Sequence, residues 1–178
     1  MKHQLVKLSA LFILIILLVN CEEKNSDKFS YTGKGRAHAI KNDTLWNCFA
    51  NYRNALYVSN DTIIISLFTF DEIGNNREQL LFQDINKNIG KYYLHKKLYN
   101  LPYPFINTTA SFYIFVQDDV IGKTYDIYEE DTNNFIKITE VDTIKHFIRG
   151  EFNAWLGSDS VNIHTLKFTN GWFEVPYP

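Results

Sequence analysis

Cysteine is scarce in this chain: Cys21 and Cys48 are the only two, so at most one disulfide could form and stability must come from a packed core. Metal-binding patterns are missing too. His38, His95, His146 and His164 stand apart, with no H-x-H, HExxH or Cys/His cluster at zinc spacing, so no metal and no cofactor is expected. There is no excess of positive charge. Eighteen Lys and Arg face twenty Asp and Glu, a formal charge of −2, which argues against a nucleic-acid partner because phosphate neutralisation needs a basic patch. The G-x-S-x-G elbow, the Walker loop and the EF-hand loop are all absent. No internal repeat is visible, and beyond the first twenty residues no window carries a capped, helix-period pattern of useful length.

What the chain does have is aromatic and β-branched residues. Fourteen Phe, eleven Tyr and three Trp accompany many Ile and Thr, with only eight Gly and four Pro. Such side chains suit a pleated, half-buried surface, and two-residue alternation recurs from Gly35 to the end. Trp46, Cys48, Ala50 and Tyr52 share one parity, and Arg36–Ile40 is expected to pair with that strand across the turn-forming Lys41-Asn42-Asp43. The run TIIISLFTF (Thr62–Phe70) is apolar on both parities and reads as a central strand covered on two sides. Further strands are expected at Arg77–Phe82, Lys91–Leu94 and Ser111–Gln117, and Tyr125–Tyr128 should form a hairpin with Phe135–Thr139. Ile144–Leu156 reads as one strand with Ile144, His146, Ile148, Phe152, Ala154 and Leu156 facing inward. Val161–Phe168 and Trp172–Val175 flank Asn170-Gly171, a strong hairpin signal. About nine or ten short strands with turns between them predict a single all-β domain, an antiparallel β-sandwich in the first instance and a lipocalin-like β-barrel as the alternative.

Candidate chemistry is thin. The acid pairs Asp71-Glu72, Asp118-Asp119 and Glu129-Glu130-Asp131 fall where strands end, which suits turns and the blunting of sheet edges. A polysaccharide hydrolase would need two convergent carboxylates, and Asp118 with Glu129 or Glu151 is the set the chain offers. Cys48 reads as a small buried hydrophobe, and Thr32-Gly33-Lys34-Gly35-Arg36 as the arrival of a linker at the domain. No catalytic residue is assigned, and the protein is not expected to be an enzyme. The most suggestive ligand-binding feature is the aromatic loop Tyr99-Asn100-Leu101-Pro102-Tyr103-Pro104-Phe105. There Tyr99, Tyr103 and Phe105 form either a stacking platform for a sugar or apolar ligand, or a lid folded over one end of the core.

The front of the chain reads as an address. Lys2 and Lys7 precede the apolar run Leu8–Val19, which falls short of the ~20 residues that cross a bilayer and matches the positive-then-apolar order of a secretory signal peptide. Leu18-Val19-Asn20-Cys21 resembles the lipobox of bacterial lipoproteins, and the resemblance implies cleavage after residue 20 and lipidation of Cys21. Several acyl chains on that sulfur would anchor the protein, whereas one chain holds only weakly. Removing residues 1–20 takes away two lysines and no acid, so the remainder carries −4. Residues 21–32 read as a flexible tether and 33–178 as the β domain. Together with the lipobox, "KNDTLWNC", "NIGKYYL", "IKITEVDTIKHFIRGEFNAWL" and "KFTNGWFEVPY" resemble uncharacterised Bacteroidetes lipoproteins with one β-rich domain. Their late block maps to Ile138, Thr139, Asp142, Gly150 and Phe152. The resemblance implies an envelope protein anchored to the outer membrane, with Glu22 and Glu23 resembling a surface-export signal. It transfers no catalytic motif. The expected function is a non-catalytic binding or structural domain whose partner is a glycan, an apolar ligand or another envelope protein. The alternatives are a lipocalin-like carrier of an apolar small molecule and a polysaccharide hydrolase.

Overall fold

A computed structural model describes residues 35–55, 61–97, 107–117, 120–128, 131–158 and 164–178. Ten strands account for most of them, and no helix occurs among the described residues. In chain order they are β1 (Gly35–Lys41), β2 (Thr44–Asn54), β3 (Thr62–Phe70), β4 (Asn76–Asn86), β5 (Gly90–Tyr93), β6 (Thr109–Gln117), β7 (Val120–Ile127), β8 (Phe135–Asp142), β9 (Phe147–Gly157) and β10 (Thr165–Pro176). Neighbouring strands run antiparallel in the order β1-β2-β3-β4-β6-β7-β9-β10, and β10 pairs again with β1. Eight strands thus close into a barrel. The other two extend outward from β9, with β8 on β9 and β5 on β8.

The expected sandwich is therefore corrected to a barrel. Alternation reports which side of a strand is covered, and that side looks the same inside a sandwich or a barrel. Closure depends on β10, which bonds β9 along its length on one edge and β1 on the other. The arrangement leaves neither terminal strand with a free edge.

The interior is filled by alternate residues of each strand. Ile63, Ile65 and Leu67 of β3 point inward and are fully buried, and Ser66 and Phe68 on the outer parity are buried as well, so the two-sided covering expected of TIIISLFTF is found. Trp46 and Phe112 each meet Phe168, with ring centroids 5.2 Å apart in both cases, and Phe82 meets Phe152 at 5.2 Å. These offset and edge-on contacts add to the ~1.5–3 kcal/mol that each buried side chain contributes by leaving water.

Two glycines make room for the rings. Gly150 is the register partner of Phe173, and Gly171 is the partner of Phe152. A Cβ on Gly150 would lie 2.3 Å from Phe173 Cζ and 2.4 Å from the Lys137 carbonyl oxygen, and one on Gly171 would lie 2.5 Å from Phe152 Cζ. Each phenylalanine thus folds over the glycine opposite it, a cross-strand device that covers a bare backbone with an aromatic face.

Three local expectations are also corrected. Asn170-Gly171 does not turn the chain: β10 runs unbroken from Thr165 to Pro176, and Asn170 (φ 52°) sits in a bulge where the register with β9 jumps between Phe168 and Gly171. The primed hairpin turn falls instead at Asn42 and Asp43, with φ of 44° and 64°. Ile144 and His146 belong to the turn between β8 and β9 rather than to a strand face. Ile144 is 88% exposed and His146 has φ 55°, so neither reaches the core. Finally, β7 and β8 do not form a hairpin. β7 pairs with β6 and with the last two residues of β9, while β8 takes the remainder of that same edge of β9.

An ion-pair ladder crosses the outer wall. Arg36 of β1 meets Glu174 of β10 (3.5 Å), Glu174 meets Arg149 of β9 (2.6 Å), and Arg149 meets Glu140 of β8 (2.9 Å). Exposed pairs contribute little individually, but their direct registration marks the four strands around the closure.

Replacing Gly150 by Ala should destabilise the protein by about 3 kcal/mol or more in urea unfolding, because a ring and a backbone carbonyl must both give way. Gly122→Ala is the control. Its Cβ meets the Val116 side chain on an exposed segment, so the change should stay within about 1 kcal/mol.

Candidate functional site

The two ends of the barrel differ. At the β1–β2 turn, Lys41 and Glu78 point inward from their strands and pair, and Trp46 Nε1 donates to Glu78 Oε2 at 2.7 Å. Lys41 Nζ also lies 5.6 Å from the centre of the Phe112 ring. Half-buried charges satisfied in this way close that end with polar atoms.

The opposite end holds a recess of about 800 Å³, within the usual size range of small-molecule sites. Ala55, Val141 and Ile148 provide its apolar surface, and beneath them Ile63 and Val175 are fully buried, so the recess stops at the core. Tyr52 and Tyr177 form one wall with ring centroids 5.8 Å apart. The Tyr177 amide donates to the His146 carbonyl at 3.0 Å, which fixes the C-terminal tail against the β8–β9 turn, and the His146 ring packs edge-on against Tyr177 at 5.9 Å. The Tyr52 hydroxyl donates to Asn54 Oδ1, and burial pushes its pKa above the usual phenol value.

Two turns complete the rim. Asp142 Oδ1 accepts from the amides of Ile144 (2.9 Å) and Lys145 (2.8 Å), and the bond from the Lys145 amide is the chief reason its carboxyl is held below the ordinary value. On the other side, the Lys87 amide donates to the Asp61 carbonyl at 2.9 Å and its ammonium pairs with the Asp61 carboxylate at 3.1 Å. The Tyr92 hydroxyl donates to the Asn88 carbonyl at 2.7 Å. Among the side chains of the described residues that line the recess, Lys87 is the charged one. The surface is thus equipped to hold an apolar body and to hydrogen-bond a polar end through Asn54, Asn88 and Lys87.

The residues singled out from sequence are dispersed. Cys21, Tyr99, Tyr103 and Phe105 lie outside the described residues, as do Asp118 and Glu129. Glu151 is on the outer wall, 3.5 Å from Lys137. Asp71 accepts from the Ile73 and Asn75 amides, and Asp131 from the Asn133 amide, so both serve turns as expected. His38 stacks on Trp172 at 5.6 Å, and the His95 amide donates to the Thr108 carbonyl. No three His, Cys, Asp or Glu among the described residues stand close enough to hold a metal. Cys48 is buried, and burial followed by the charge of Glu78 raises its thiol pKa strongly.

Sequence reasoning placed Tyr52 on the parity of Trp46, Cys48 and Ala50 without giving it a site role, and it did not single out Tyr177 or Lys87. The available signal was positional. Tyr52 is the last inward aromatic before β2 turns polar at Arg53 and Asn54, and Tyr177 follows the final inward residue, Val175. Compared with protein-family models, curated proteins and solved structures, the chain matches none of them.

Two outcomes are expected. Cys48 should resist a thiol reagent at pH 8 in the native protein and react on unfolding; rapid native labelling would show that the barrel interior is open. The protection that Asp142 gives to the Ile144 and Lys145 amides should be complete above about pH 4 and should fade as pH falls through its lowered folded value, read by hydrogen exchange.

Proposed function

We propose that this protein is a non-catalytic, lipid-anchored envelope protein whose barrel carries an apolar small molecule in the recess at its open end. The observation that carries the reading is the asymmetry of the barrel. One end is closed by Lys41, Glu78 and Trp46, the lumen is occupied by aromatic rings, and the other end leaves about 800 Å³ lined by two tyrosines and aliphatic side chains. The ligand sits in the mouth. This differs from a lipocalin-type carrier, in which the barrel interior itself is the cavity. An apolar body would rest on Val141 and Ile148 against the wall formed by the two tyrosine rings, with a hydrogen-bonding head towards Asn88 and Lys87.

In this proposal Cys21 is lipidated and the chain belongs with the Bacteroidetes lipoproteins it resembles.

Native mass spectrometry of the full-length protein with saturated fatty acids of eight to sixteen carbons tests the ligand. A one-to-one adduct is expected, and Tyr52→Ala or Val141→Gln should weaken it about tenfold; no adduct at any chain length would remove the carrier reading. Cys21→Ser should move the protein from the membrane to the soluble fraction, and retention in the membrane would remove the anchor.

A further inference from the structure

A second recess lies where β9 passes from one neighbour to the other. Residues Phe147–Asn153 of β9 pair with β8 and Leu156–Gly157 pair with β7, so Ala154 and Trp155 fall at the junction. There the Trp155 amide donates to Asn134 Oδ1 at 2.7 Å, and the Asn134 carbonyl accepts from the Leu94 amide at 3.0 Å. The junction is therefore rigid, yet the Trp155 side chain points outward and remains 38% exposed. Lys167, its register partner on β10, places Nζ 4.4 Å from the centre of the indole. Tyr128 stands against the backbone of Gly157, so close that a Cβ there would come within 2.9 Å of the tyrosine Cβ and Cγ. The space between them measures about 360 Å³, with Leu166 as its apolar floor and Asp131, Thr165 and Lys167 among the polar groups lining it.

We propose that this recess is a carbohydrate subsite that takes a neutral pyranose unit of an oligosaccharide. A pyranose presents C–H groups on its faces and hydroxyls around its rim. The faces suit the negative face of a fixed indole or phenol ring, and the rim needs donors and acceptors in one plane. Here Trp155 and Tyr128 supply the rings. The carboxylate of Asp131 accepts and the ammonium of Lys167 donates, while the Thr165 hydroxyl can do either. Asp131 uses Oδ1 for the Asn133 amide (2.8 Å) and side chain (3.0 Å), which leaves Oδ2 for a ligand. Within the lining Asp131 and Lys167 offset one another, which favours a neutral ligand, and the ammonium of Lys96 lies 5.6 Å from the centre of the Tyr128 ring. The site is separate from the open-end recess, with which it shares no lining residue.

The test is isothermal titration of the full-length protein with cellotetraose, xylotetraose, mannotetraose and triacetylchitotriose, accompanied by tryptophan fluorescence. At least one should bind. Trp155→Ala should lower that affinity about tenfold or more, Trp155→Phe less than about threefold, and Asp131→Asn, which keeps the turn bond, about three- to tenfold. Tyr52→Ala should leave sugar binding unchanged, so a failed carrier assignment and a failed sugar subsite are told apart. Absence of binding by all four sugars would overturn the proposal. So would equal binding by Trp155→Ala, or loss of binding in Tyr52→Ala.

Discussion

The barrel depends on the exchange of two phenylalanine rings for two absent side chains across the β9–β10 pair. Phe173 lies over Gly150 and Phe152 over Gly171, so two large rings enter a narrow lumen at positions where two Cβ atoms would otherwise stand. Close packing allows no slack for either glycine to gain a methyl group. The bulge at Asn170 belongs to the same arrangement. It shifts the register by the amount that brings Gly171 opposite Phe152, while Asn153 Oδ1 accepts from the displaced Asn170 amide at 3.0 Å. Because β10 also bonds the edge of β1 that β2 leaves open, the strand that fits the rings together is the strand that closes the wall.

A filled lumen has a consequence for ligands. Among the described residues the lumen is occupied by rings and aliphatic side chains, and the two recesses lie where the wall ends or is interrupted. One such place is the open end, where the C-terminal tail, the β4–β5 turn and the β8–β9 turn stand clear of the core. The other is the junction on β9 left by the departure of β8 and the arrival of β7. Each is built on strands fixed by ladder bonds, with aromatic residues held by neighbours: the Tyr177 amide by the His146 carbonyl, its ring by the His146 ring, and the Tyr128 side chain by the surface of Gly157. Such anchoring reduces the ordering cost of binding. The paired charges at the opposite end do the reverse, occupying with their own bonds the space a ligand would take.

Much of this was legible along the chain. The strands at Gly35–Lys41, Thr44–Asn54 and Thr62–Phe70, the turn at Asn42-Asp43, the buried Cys48 and the turn roles of Asp71 and Asp131 follow from alternation and from turn chemistry, which act between residues close in sequence. Of the candidate sites, the inward parity of Tyr52 was legible but its place at a mouth was not. Lys87 and Tyr177 gain their meaning only from Val141 and Ile148, which reach the same recess from distant strands. Trp155 gains its meaning only from the place in β9 where the neighbouring strand changes from β8 to β7.

By itself the sequence determined that the body is made of strands, which side of most of them is covered, and that at most one disulfide could hold it. Tertiary structure alone decided that the sheet closes, that Asn170-Gly171 is a bulge and not a turn, and that His146 leaves the strand for the rim of a recess. The physical reason is range. Alternation and turn propensity are settled within a few residues, whereas the registration of Arg36 with Glu174 joins parts of the chain that only the finished fold brings together.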